Sequence, residues 1–438
     1  MVKATIPIVC GLIFTFNLAI VPITRETFAQ TAATEEGGFE TPKALPAKDL
    51  LPPELLKGNN YQIEPNVNTN GFENTYFITS DYGPFQVLGD DMVRIRVQEF
   101  AAIAHMEEMK KSDQFATAAQ KALTTPLVAA GNLITNPVDT ITGVPKGAWR
   151  YVTGLVEMVR GSRGELEDSA AKELIGFGKA KRQLASSLGV DVYSSNPVLQ
   201  RELNALAWAA YAGGMTVAGG FMAIRAASTA ASLSLTGTSW MERLNKRLLD
   251  NSPEDLRQLN RQELAKIGLD GNELDLFLRN PWYSPRHRTV LIEALSGMEK
   301  AKNRKKFITL ATTAESEQDA FFFQRIAQLL RGYHDTVAPI DEIDIVRSLA
   351  VGYSGAKIMM VPLVLDYGWW TAQGSVLAKS LDDAATKVGR TKQLWATGTL
   401  SPRLADELQS RKWEVHQQSW APLYPAKSSS QSGEADKN

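Results

Sequence analysis

Cys10 is the only cysteine in the 438 residues, and it sits inside an apolar leader. Residues 1–29 begin with Lys3, run from 5 to 23 without a charge, and end on Thr27-Phe28-Ala29. Small residues therefore occupy the two positions a signal peptidase reads. The segment is expected to be an export signal. An uncleaved anchor is the alternative, because the run nearly spans a bilayer. Without the leader the chain has no cysteine, which excludes disulfides, thiolate metal sites and a cysteine nucleophile together. The remainder must fold on apolar burial and hydrogen bonding. A large exported chain of that kind fits a bacterial periplasm or cell envelope better than a eukaryotic secretory route.

A length of 438 residues leaves room for two or three domains. Lys and Arg number 47 against 48 Asp and Glu, a net charge of −1. No long-range positive field exists to displace counterions from a phosphate backbone, so nucleic acid is not an expected partner. The local basic run Lys300, Lys302, Arg304, Lys305 and Lys306 is read as a solvated helix face.

Residues 30–72 carry Pro42, Pro46, Pro52 and Pro53 with no sustained apolar period, and are expected to be a disordered linker. Order should begin near Phe72. A region 73–240 opens with a short β-hairpin, strands near 75–79 and 85–88 about the turn Asp81-Tyr82-Gly83-Pro84, followed by a helix from Gly89-Asp90-Asp91. The hairpin should lay its aromatics on that helix, since two strands alone are marginal in water. Across 116–156 apolar residues recur every eleven positions, a spacing that keeps a straight stripe on a helix. Pro126, Pro137 and Pro145 divide the stripe into short helices. Burial and contact with a membrane interface are both open for this weakly polar surface. Residues 203–224 contain no charge and match a bilayer span in length. Their Ala content and the pairs Gly213-Gly214 and Gly219-Gly220 suit a buried soluble helix as well.

Residues 241–340 follow amphipathic helical patterning, with starts at Ser252-Pro253 and Ser284-Pro285. Residues 341–425 change character. An apolar run over 358–365, a helix over 373–386, a strand over 393–397, a helix from Ser401-Pro402 and a strand over 413–416 predict a small βαβαβ domain with parallel strands. Residues 426–438 are expected to be a disordered tail. The fold class is mainly α with this small α/β domain and the N-terminal hairpin, α+β overall.

Chemistry is sparse. His105, His287, His334 and His416 never pair at helical spacing, and no metal is expected. Asp341, Glu342 and Asp344 are read as a solvated turn. Two Ser-x-x-Lys matches, Ser169 with Lys172 and Ser354 with Lys357, have no Lys-Thr-Gly to complete a penicillin-binding site, although Ser194-Ser195-Asn196 resembles its second element. No catalytic residues and no cofactor are assigned. The best candidate site follows from architecture, because open parallel sheets bind ligands beyond the carboxyl ends of their strands. That edge holds Asp366 and Tyr367 after one strand, and Thr397, Gly398 and Thr399 after the next. The competing reading is structural: Gly398 makes a turn, Ser401 caps a helix, and Trp369 and Trp370 fill a core. The expected function is a non-catalytic envelope protein that contacts a protein partner or a membrane surface. An envelope hydrolase or ligand-binding protein using the strand edge is the first alternative, and a pore or span through 203–224 the second.

Overall fold

The N-terminal half is built on a hairpin. A computed structural model describes residues 38–123, 165–215 and 239–424. The leader 1–29, most of the eleven-residue stripe, the 216–224 part of the apolar run and the 426–438 tail lie outside the described residues. In the first half the strands are β1 (Leu45–Pro46), β2 (Tyr61–Ile63), β3 (Asn66–Thr69), β4 (Asn74–Ser80) and β5 (Gly83–Leu88). β4 pairs with β5 along its length, with β3 at one end and with β2 at the other, all antiparallel. The expected hairpin is thus the centre of a five-stranded sheet.

The linker expectation fails from Gly38 onward. β1, β2, β3 and single helical turns at Ala47–Leu50 and Pro53–Leu56 fall inside 38–72. Leu51, Leu55, Ile63 and Val67 are buried there. β2 and β3 contribute one buried anchor each and β1 none, too few to leave a period in the sequence.

Helix α1 (Asp90–Lys110) crosses this sheet, and Phe100 on it meets the rings of Tyr61, Tyr82 and Phe85 at 5.6, 5.7 and 5.1 Å. Helices α2 (Asp113–Leu123), α3 (Glu165–Leu188) and α4 (Pro197–Tyr211) complete the half. α4 corrects the expectation of one apolar helix over 203–224. It stops at Tyr211, and Gly214 then takes a left-handed φ of 72°. Leu203, Leu206 and Ala209 are buried in the same core as α1, where Gly213 lets α4 approach α2. Among the described residues no helix is long and apolar enough to cross a membrane.

The second half has its own apolar core. Helices α5 (Ser239–Asp250), α6 (Pro253–Ile267), α7 (Gly271–Arg279), α8 (Pro285–Ser296), α9 (Arg304–Ala311) and α10 (Glu317–Thr336) lead into the sheet. Ser252 caps α6 in a full capping box with Asp255, and Ser284 caps α8. The basic run straddles the start of α9, and Arg304 is turned to the Leu295 and Ser296 carbonyls.

The sheet is mixed, in the order β12-β10-β8-β7-β6. β6 (Glu342–Val346) and β7 (Leu349–Ser354) form an antiparallel hairpin, and β7 pairs antiparallel with β8 (Ile358–Leu363). The short β9 (Tyr367–Gly368) and helix α11 (Ala372–Val388) follow β8. β10 (Thr391–Ala396), β11 (Thr399–Leu400), α12 (Pro402–Ser410) and β12 (Trp413–His416) complete the domain. β8, β10 and β12 are mutually parallel across the α11 and α12 crossovers. A purely parallel sheet is therefore corrected by two antiparallel strands, and Glu342 and Asp344 stand on β6 rather than in a turn. Asp344 pairs with Lys306 at 2.7 Å. Pro362 is tolerated because β7 stops pairing with β8 at Met360. The molecule is α+β.

Candidate functional site

The carboxyl end of β8 and the carboxyl end of β10 are locked to each other. The Thr397 hydroxyl donates to the Leu365 carbonyl at 2.7 Å and accepts the Leu365 N–H at 2.9 Å. Thr399 N–H donates to the Asp366 carbonyl at 3.1 Å, and a Cβ on Gly398 would stand 2.0 Å from that same oxygen. Only glycine fits there. Tyr367 enters β9, which pairs in parallel with β11, and its ring packs 5.5 Å from Trp369. Ser401 caps α12, and Trp369 and Trp370 are buried.

Asp366 reaches across to the other half. Its Oδ2 accepts the Asn74 N–H at 2.8 Å and its Oδ1 accepts the Asp90 N–H at 3.0 Å. Asp90 is the first residue of α1, whose N-cap Gly89 has no side chain to satisfy the free helix N–H groups. Asp366 satisfies one of them, the Asp90 N–H, from 276 residues away. Burial pushes its carboxyl well above the ordinary range, and the neighbouring Asp90 carboxyl adds to the rise. Asp90 is itself pushed up by burial, although it accepts from the Tyr76 hydroxyl at 2.5 Å and the Asn74 amide at 3.1 Å.

Around this clamp the two halves leave a cleft of about 790 Å³. Asp366, Thr397, Gly398 and Thr399 line it, whereas Tyr367 does not. The N-terminal wall adds Glu73, Asp90, Asp91 and Arg94. The facing wall is the start of α10, with Glu317, Phe321 and Arg325, beside Trp420. Arg325 pairs with Asp91 and lies 3.5 Å over the Trp420 ring. Burial pushes the Glu73 and Glu317 carboxyls up as well.

Sequence reasoning missed Asp90, Asp91, Glu317 and Arg325 as members of this site. Gly89-Asp90-Asp91 gave only a helix start. Arg325 is 3 % exposed on an apolar helix face, and that misplaced charge was the one local signal. The four histidines stay apart: His334 accepts the Ile340 N–H, His416 stacks on Trp395 and His287 is buried. Among the described residues no three His, Cys, Asp or Glu side chains are grouped to hold a metal ion. Ser354 donates to the Pro339 carbonyl, Ser194 donates to Glu99, and Asn196 caps α4, so these motif residues have structural partners.

No family model, curated protein or solved structure matches this chain. Its chemistry rests on the residues of the cleft alone.

Proposed function

We propose that this is a non-catalytic binding protein of the bacterial envelope, and that the cleft between its halves takes the ligand or partner. The observation that carries this reading is the cleft itself, lined by partly buried carboxyls together with aromatic and guanidinium groups. Such lining suits recognition by hydrogen bonds and stacking. Asp366, Asp90 and Thr397 already hold structural hydrogen bonds, which argues for a fixed wall over a proton-transfer site. The leader supports export, and the stripe at 116–156 supports contact with a membrane surface. The test is retention: purified protein is equilibrated with periplasmic extract, washed and denatured, and the released small molecules are identified by mass spectrometry. Recovery of one compound at a stoichiometric level is expected. Nothing retained, together with cytoplasmic fractionation of the native protein, would remove the reading.

A hydrolase is the second reading, favoured by two partly buried carboxyls, both pushed up by desolvation, brought to one cleft. It requires turnover of an envelope polymer such as peptidoglycan, abolished by Asp90→Asn while the melting temperature holds.

A further inference from the structure

Strand β5 is an outer strand of the first sheet: among the described residues it pairs with β4 and with no other strand. The two-residue turn Asp81-Tyr82 makes Ser80 and Gly83 the closing pair, whose main-chain groups face each other. Alternation along an antiparallel ladder then turns the main-chain groups of Pro84, Gln86 and Leu88 away from β4. Pro84, which has no N–H to present, guards the turn end of this edge. At the other end Gln86 and Leu88 each present an N–H and a C=O, and none of these four groups has a partner among the described residues. Gln86 is exposed, Leu88 is half-buried, and both line the cleft. A bare row of alternating donors and acceptors is a template for an added strand.

The walls around this edge set the character of that strand. Six carboxyls line the cleft, Asp49, Glu73, Asp90, Asp91, Glu317 and Asp366, against the guanidiniums of Arg94, Arg96 and Arg325. The guanidiniums are already engaged. Arg96 pairs with Glu99 at 2.6 Å, Arg325 pairs with Asp91, and Arg94 has a partner as well. Asp49, Glu73 and Glu317 stand in no ion pair among the described residues. Desolvation pushes the Glu73 and Glu317 carboxyls up, and Arg96 offsets only part of the rise at Glu317. Glu73 precedes Thr75, the ladder partner of Leu88, by two residues, so this carboxyl and the bare edge belong to one end of the cleft.

A polyamine would neutralise the carboxyls and leave the strand edge bare. A neutral or acidic peptide would cover the edge and leave the carboxyls without a cation. We propose that the cleft binds a basic peptide segment, added to β5 as an extended strand through the main chain of Gln86 and Leu88, with its lysine or arginine side chains toward Glu73 and Glu317. The unpaired edge and the excess of carboxyls are separate observations, and a basic strand answers both. This proposal rests on the binding reading of the cleft and names the ligand class for it.

The test is calorimetric titration of the full-length chain with a blocked hexapeptide of alternating valine and lysine. The comparison probes are the same hexapeptide N-methylated on every peptide nitrogen, its glutamate counterpart, and spermine. The lysine peptide should bind with one-to-one stoichiometry, and each comparison probe should bind more weakly by about tenfold or more. Gln86→Pro removes one outward N–H and no ladder bond, so it should melt near the parent and lose affinity for the lysine peptide by about tenfold. Glu73→Gln should lose a similar factor. Should Gln86→Pro fail to fold, the N-methylated peptide draws the same distinction from the ligand side. Equal binding of the N-methylated peptide or of spermine would overturn the added strand, and equal binding of the glutamate peptide would overturn the charge assignment. A parent that sediments as a dimer and a Gln86→Pro variant that sediments as a monomer would give the edge to a second copy of the chain and overturn the proposal. Failure of all the probes while the periplasmic extract still yields a retained compound would overturn the peptide class only. Failure of the probes and of the retention experiment would remove both readings.

Discussion

Asp366 accepts two backbone N–H groups, from Asn74 at the start of β4 and from Asp90 at the start of α1, an arrangement that favours its charged form, yet its loss of water outweighs them and pushes its protonation upward. A carboxyl raised in the folded state contributes stability that is fully present below its unfolded value of about 3.9 and is lost as pH rises through the folded value. His287 works in the opposite direction. Its folded value is about 3 against an ordinary 6.5, so its contribution is present above 6.5 and disappears as pH falls toward 3. The two groups therefore give opposed slopes over much of the same acid range, and substitution separates them. Asp366→Asn removes the term that declines with rising pH, so urea stability should climb more steeply from pH 4 to 7 than in the parent. His287→Gln should flatten that climb, by up to about 1.4 kcal/mol for each unit of displacement removed. An Asp366→Asn profile parallel to the parent's would show that this carboxyl titrates as if exposed.

The turn after β10 is the element on which the seam depends, and its tolerance is set by backbone. Gly398 faces the Asp366 carbonyl, with neighbours pinned by Thr397 and Thr399, so a Cβ 2.0 Å from that oxygen forces the two turns apart. Gly398→Ala should cost about 3 kcal/mol as an overpacking of main chain. Gly355→Ala is the control. Gly355 holds a φ of 53° with nothing within 4 Å of its Cβ, so only the left-handed strain of about 1–2 kcal/mol applies. Equal losses in denaturant melts would mean that the β10 turn yields. This turn was legible from sequence because its signals are local: an apolar run, a Gly, and Ser401-Pro402 starting a helix. β6 was not, although Glu342-Ile343-Asp344-Ile345 alternates, because its acids pointed to a turn when the sequence was read without a neighbour strand. β7 is buried at all six positions and has no alternation to show. The placement of Asp366 and residues 397–399 at one edge followed from the strand-end rule. Their partners Asp90 and Asn74 did not, since a contact across 276 or 292 residues leaves no local mark on either segment.

At the scale of the molecule, two apolar cores are joined through a narrow polar seam. The first core draws on residues 47–215 and the second on 240–424. The chain itself stitches them: Phe39 packs on Trp370, and Glu40 Oε2 accepts from the Trp370 N–H at 2.6 Å and the Ser401 hydroxyl at 2.5 Å. From there residues 45–69 enter the first sheet, and Gly71 and Phe72 return to accept the Trp369 and Asp366 N–H groups. Two carboxyls, Glu40 and Asp366, thus bridge segments more than 270 residues apart, and the cleft lies beside their bridge. Each half holds enough buried apolar surface for a core of its own, so cooperativity between them depends on the seam. The parent should melt in one calorimetric transition. In the double variant Glu40→Ala/Asp366→Ala, four donors lose their acceptor, at about 1–3 kcal/mol for each that stays buried. The seam should then open before either core melts, and the single transition should divide into two. Tryptophan fluorescence assigns them, because Trp240, Trp282, Trp369, Trp370, Trp395, Trp413 and Trp420 all lie in the second half, against Trp208 in the described part of the first. Most of the fluorescence change should follow the step in which the second half melts, with only the smaller first-half contribution in the other. A single transition in the double variant, merely shifted to lower temperature, would mean that apolar contact holds the halves together and that the carboxylate bridges do not couple them.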